Sequence, residues 1–112
     1  MKAWRVYVIW NYPLFHESLR LLLNHPVIEW AGATSDHEAA RSHVANLRPD
    51  IILMEEVEGS DINAETVKLL ECSSMDVRII RLSLANNELT IYHREQRNMG
   101  QAEDLLKLIQ GE

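Results

Sequence analysis

Three short apolar runs, each followed by a helix-like segment, limit what this chain can fold into more than any other feature. Val6-Tyr7-Val8-Ile9 reads as a strand buried on both faces. Pro13 suits the first turn of a helix, and Phe15, Leu19, Leu22 and Leu23 then recur at helical spacing until His25-Pro26 stops it. Residues 27–33 give a second strand pattern. Ser35, with Glu38 three residues on, has the spacing of a capping box and opens a helix with Ala40, His43, Val44 and Leu47 inward. Pro49 ends that connection, and Ile51-Ile52-Leu53-Met54 is the third strand. Residues 56–63 are polar and loop-like. Residues 64–71 read as a third helix with Val67, Leu70 and Leu69 inward, and residues 77–84 as a fourth strand. This alternation predicts a doubly wound, mainly parallel sheet.

The alternation then breaks. Only Ala85-Asn86-Asn87-Glu88 separates Leu84 from a fifth strand at residues 89–93. A parallel crossover needs about a dozen residues or more, so these two strands are predicted to form an antiparallel hairpin. Asn86-Asn87 suits a tight turn, because Asn tolerates positive φ. A two-residue loop would pair Leu84 with Leu89 and Leu82 with Ile91 on one face. It would pair Ser83 with Thr90 and Arg81 with Tyr92 on the other, so that like meets like. A last helix carries Ala102, Leu105, Leu106 and Ile109 on one stripe. The predicted fold class is α/β: three layers around a flavodoxin-like, five-stranded sheet, with the last strand antiparallel and one crossover helix missing. Residues 1–112 are expected to be a single domain.

Composition narrows the function. Apolar residues make up 46 % of the 112, enough for one core, and charged residues 25 %. The net charge is -6 with no basic run, which argues against nucleic acid and against anionic membranes as partners. No segment reaches the ~20 apolar residues of a membrane span, and the N-terminus runs straight into a strand rather than reading as a signal peptide. A single cysteine, Cys72, can form no internal disulfide and reads as a small helix residue. The expected location is the cytoplasm.

The strand ends bring polar residues together. Trp10 and Asn11 follow the first strand, Glu55 ends the third, and Ser83 lies near the end of the fourth. Ligands and chemistry in open α/β sheets sit at these carboxyl ends. The run from Ile9 through Trp10-Asn11-Tyr12-Pro13-Leu14-Phe15 to Leu19, the run from Arg48-Pro49-Asp50 to Met54, and the run from Val77 to Ser83 together resemble receiver domains of bacterial two-component response regulators. The likeness spans about residues 4–84. The resemblance implies a phosphoacceptor at position 55, an acidic metal-binding pair at 10 and 11, and a hydroxyl at 83. Here those positions hold Glu55, Trp10, Asn11 and Ser83. Mg²⁺ favours carboxylate oxygens in octahedral geometry, and an indole and an amide replace the pair. The family lysine follows a fifth parallel strand that this chain lacks; its nearest counterpart is Tyr92-His93-Arg94. Only Ser83 matches the usual set.

The expectation is therefore a phosphorylation-independent, receiver-like regulatory module, not an enzyme, with no metal and no cofactor. Glu55 either stands in for a phosphorylated aspartate with Ser83 as hydrogen-bond partner, or is simply a solvated charge on a decayed site. Trp10 is either a plug over the former metal pocket or an aromatic anchor for a partner. The alternatives are a phosphoryl-accepting switch using Glu55, and a small-molecule sensor with a pocket below Trp10. Glu55, Glu56, Glu58 and Asp61 do not follow a calcium-loop order, and the five histidines show no zinc spacing. No nucleophile elbow or phosphate loop occurs. The missing crossover helix leaves residues 89–93 as an edge strand. Leu89, Thr90, Ile91 and Tyr92 are the candidate interaction surface, for a protein partner or a homodimer through this edge or the last helix.

Overall fold

A computed structural model describes residues 3–57, 62–72, 77–83, 88–93 and 100–111. In chain order these form β1 (Trp4–Ile9), α1 (Pro13–Leu22), β2 (Ile28–Thr34), α2 (His37–Leu47), β3 (Ile51–Glu55), α3 (Ile62–Cys72), β4 (Arg78–Ser83), β5 (Glu88–His93) and α4 (Ala102–Ile109). The strands make one sheet in the order β2-β1-β3-β4-β5. The first four are parallel, and β5 runs antiparallel to β4. This is the predicted three-layer α/β architecture with its hairpin.

Period-two alternation sends side chains of each strand to opposite faces. On one face Tyr7, Ile9, Ile52, Met54, Val77 and Ile79 meet Ala40 and Val44 of α2 and Leu69 of α3. On the other Val6, Val8 and Leu53 meet Phe15 and Leu19 of α1. At the amino ends of the strands, Asp50 joins three of them. Its Oδ2 accepts from Arg5 N–H at 2.9 Å, its own N–H donates to Arg5 O, and its O accepts from Arg78 N–H. The β1–β2 pairing carries an irregularity: Val6 faces Trp30, but Tyr7 faces Gly32. The extra residue, Ala31, is a bulge in the outer strand. A Cβ at Gly32 would lie 3.3 Å from Cε1 of Tyr7, so glycine lets the buried ring lie against the edge.

Several expectations need correction. The N-cap of α2 is Asp36, not Ser35: its side chain accepts from the N–H groups of Glu38 and Ala39. Leu22 of α1 is exposed, and only Phe15 and Leu19 of its predicted stripe are fully buried. On α3 the inward residues are Thr66 and Leu69, with Leu70 packed beside them, while Val67 is exposed. A buried Thr and an exposed Val blur the helical stripe. The hairpin register is displaced by two: Leu82 pairs with Leu89, Ile80 with Ile91, Arg81 with Thr90 and Ile79 with Tyr92. A shift of two keeps every side chain on its face, so hydrophobic pattern alone cannot tell the two registers apart. Leu84 and the Asn86-Asn87 turn lie outside the described residues. The apolar stripe of α4 is exposed, and none of that helix is buried.

Candidate functional site

Glu55, the last residue of β3, turns toward the start of α1 rather than toward water, and only 5 % of it is exposed. Its Oε1 accepts from Asn11 N–H at 2.8 Å and from Tyr12 N–H at 3.0 Å. The sequence of α1 explains why this seat exists. Its N-cap, Tyr12, makes no side-chain cap, and its first turn contains no acid. The carboxylate arriving from β3 satisfies amides that the helix's own sequence leaves open, and it meets the positive end of the helix dipole. The expectation of a solvated Glu55 is corrected by this burial.

Around Glu55 a polar chain crosses the carboxyl end of the sheet. Asn11 Nδ2 donates to the main-chain O of Glu55 at 3.4 Å. That fixes the amide so that Asn11 Oδ1 faces His37 Nε2 at 3.1 Å. The other ring nitrogen, Nδ1, lies 2.9 Å from Oε2 of Glu65 on α3. Both ring nitrogens of His37 thus face side-chain oxygens, one on Asn11 and one on Glu65. Sequence reasoning set His37 aside with the scattered histidines and did not single out Glu65. The signal was positional: His37 opens α2 and Glu65 lies in the first turn of α3, and in this topology helix starts gather at the same end as Glu55.

Trp10 lies half-buried against the Phe15–Leu53 side of the core. Its ring centroid is 5.2 Å from His16, which meets Trp30 edge-on at 5.6 Å, and the Arg20 guanidinium covers Trp30 at 4.9 Å. Ser83 ends β4 half-buried and pairs with Glu88; it follows Leu82, the register partner of Glu55. The Glu55 carboxylate takes its hydrogen bonds from the Asn11 and Tyr12 amides rather than from the Ser83 hydroxyl. The sheet therefore brings Trp10, Asn11 and Glu55 together, with Ser83 one step along.

A second cluster escaped the sequence reading. Arg81 is 7 % exposed, on the face of Ile79. Its Nη2 lies 2.6 Å from Oε1 of Glu56, its Nη1 donates to the Tyr92 hydroxyl, and its guanidinium stands 5.3 Å over the Tyr92 ring. Tyr92 is consequently half-buried, whereas Leu89, Thr90 and Ile91 are exposed. A lone charge on a buried strand face was the signal, because such a charge needs a partner.

Burial pushes the pKa of the Tyr7 phenol up to about 12, with a nearby Thr34 hydrogen bond and Asp36 as lesser influences. The same hydroxyl is 2.7 Å from Nδ1 of His43, whose ring is otherwise exposed rather than a core packing group. Burial also pushes the pKa of the Cys72 thiol up, and the thiol donates to Leu69 O. A cleft of about 220 Å³ between α2 and α3 is lined by Ile9, Met54 and Leu69 with His37, Glu38, Arg41, Glu65 and Lys68. Two further clefts lie along α1. Among the described residues no group of three His, Cys, Asp or Glu side chains could hold a metal ion. Among them, too, no helix is long and apolar enough to cross a membrane. Glu58 and Asp61 lie outside the described residues.

No protein-family model matches this chain, and no curated protein matches it. Solved structures do. One is a double mutant of the anti-anti-sigma factor PhyR from Bartonella quintana, 17 % identical with a TM-score of 0.61 over 72 % of this chain and 34 % of that one. Another is PhyR in complex with the anti-sigma factor NepR from the same organism, 16 % identical with a TM-score of 0.58 over 97 % of this chain and 48 % of that one. The chain thus spans less than half the length of these proteins. At such identities the likeness is one of architecture: this chain has a receiver-like fold.

Proposed function

We propose that this chain is a receiver-like regulatory module in bacterial signalling that acts by protein contact, without phosphorylation and without enzymatic activity. One observation carries the reading: Oε1 of Glu55 is already bound to two backbone amides in a buried seat. Phosphoryl transfer rests on positioning and on metal and cationic stabilisation of charge. Trp10 and Asn11 offer no carboxylate for Mg²⁺ beside Glu55. The carboxylate works instead as a permanent brace between β3 and α1. This differs from a phosphate mimic, which would present its charge to Ser83.

The contact surface is the strand β5, through Leu89 and Ile91 on its uncovered face and the exposed Thr90 on the other, with Tyr92 as its half-buried support. The fold likeness to PhyR, solved in complex with the anti-sigma factor NepR, supports a protein as partner. Nothing in the charge or the described helices favours nucleic acid or a membrane, and a cytoplasmic location fits this reading. Incubation with acetyl phosphate and Mg²⁺, followed by intact-mass measurement, tests it. The expected result is an unchanged mass; a stoichiometric, stable phosphoryl adduct at Glu55 refutes it. A second reading, a small-molecule sensor, is favoured by the cleft between α2 and α3, since both cations (Arg41, Lys68) and carboxylates (Glu38, Glu65) line it beside apolar residues.

A further inference from the structure

We propose that two copies of this chain pair by exchanging α4, each helix laying its leucine face on the uncovered side of the other copy's β4–β5 hairpin. This rests on the reading of the β5 side as a contact surface and names its occupant.

The two faces of the sheet are covered unequally. Helix α1 covers Val6, Val8 and Leu53. Beyond Leu53 the same face continues through Ile80 to Ile91 and through Leu82 to Leu89, by direct register pairs. Among the described residues no helix covers that part. Leu89 is 56 % and Ile91 55 % exposed, while Ile80 and Leu82 are partly buried. Helix α4 has the reciprocal problem: Leu105, Leu106, Leu108 and Ile109 are all about half exposed or more. A helix of eight residues is too short to persist alone in water, where about 12–15 are needed for even marginal stability. Its leucine face therefore requires an apolar seat.

Lengths and numbers match. Eight residues make a helix about 12 Å long, and a six-residue strand runs about 20 Å, so the hairpin can seat the whole of α4. Each copy carries one helix face and one sheet face, so a two-fold exchange leaves neither unfilled. The seat in the second copy is favoured because α4 is not packed into its own core: none of its residues is buried, and none belongs to either core cluster of the described residues. Charge order agrees as well. The row Arg78–His93 closes one end of the exposed sheet face, and α4 begins with Glu103 and Asp104.

Light scattering on the full chain tests this. At about 100 µM, where a pairing of micromolar affinity is saturated, the expected mass is twice 13.0 kDa. Leu106→Asp and Ile91→Asp, each at an exposed position, should each give a folded monomer by circular dichroism. Mixed one to one they should pair again, because the intact helix of one meets the intact sheet face of the other. A wild-type monomer overturns the exchange and leaves the phosphorylation-independent reading untouched. A dimer lost in Ile91→Asp but kept in Leu106→Asp also overturns it, while the β5 contact surface stands. Variants that stay monomeric when mixed place α4 on its own sheet and overturn it too.

Discussion

The two halves of the sheet solve the same problem differently. Around β2, β1 and β3 both faces are covered, and the buried polar groups are answered: Glu55 by two amides, Tyr7 by His43. Around β4 and β5 only one face is closed, where Arg81, Glu56 and Tyr92 seal the side of Ile79. The other face shows Leu89 and Ile91 to solvent. In an α/β sheet each crossover helix covers the strands it joins, so the loss of one crossover strips one face of its lid. The difference separates a region built for stability from a region free to make contacts.

Core truncation should reveal the contrast most strongly. Ile52→Ala removes a side chain with no exposure and should cost about 2–5 kcal/mol in urea unfolding. Ile91→Ala, measured in dilute protein, should stay within about 0.5 kcal/mol. A cost for Ile91→Ala that grows with concentration would sharpen the contrast; equal costs for both at low concentration would erase it.

Glu55→Gln comes next. It keeps the shape but lowers the charge that faces two amides, and an ionic hydrogen bond is worth about 1.5–3 kcal/mol. A loss of about 2 kcal/mol is expected, with the fold retained. No loss would mean that the carboxylate spends its time in water.

The alkaline limb follows. The Tyr7 phenol titrates near 10 unfolded and about 12 folded, so the folded form holds its proton longer. Stability on this account is complete below pH 10 and falls between pH 10 and 12. Tyr7→Phe should flatten that fall in a series of urea midpoints, with the closed half as its source; an unchanged slope would assign the fall elsewhere.

The smallest effects concern caps. Asp36→Ala should cost about 1 kcal/mol of global stability, because α2 belongs to the covered half. Gln101→Ala, which breaks the capping box of α4, should lower helical circular dichroism yet leave the monomer's unfolding midpoint in place. A shifted midpoint would show α4 docked on its own core.

Much of this was legible in the sequence. Strands and helices follow from period two against period 3.6, and the hairpin from a connection too short to cross over. What stayed hidden was whatever the backbone decides. Glu55 is held by amides of Asn11 and Tyr12, which no side-chain pattern reports. The hairpin register slipped by two because both versions keep Leu82 and Leu89 on the same side. The inward face of α3 was misjudged at Val67 because Thr66 took the buried place a hydrophobic residue was expected to hold. The stripe of α4 was read correctly as amphipathic, but a stripe states a need and not where it is met.

The irregularity at Ala31 has a consequence for how far assembly can spread. A sheet whose two margins were equally smooth could stack margin to margin without end, and the product would be a fibre. Here the margin at β2 carries a bulge beside Gly32, whereas β5 pairs with β4 in unbroken register. Such an asymmetric body has a single smooth margin on which edge-to-edge growth can start, and no second one from which it can continue.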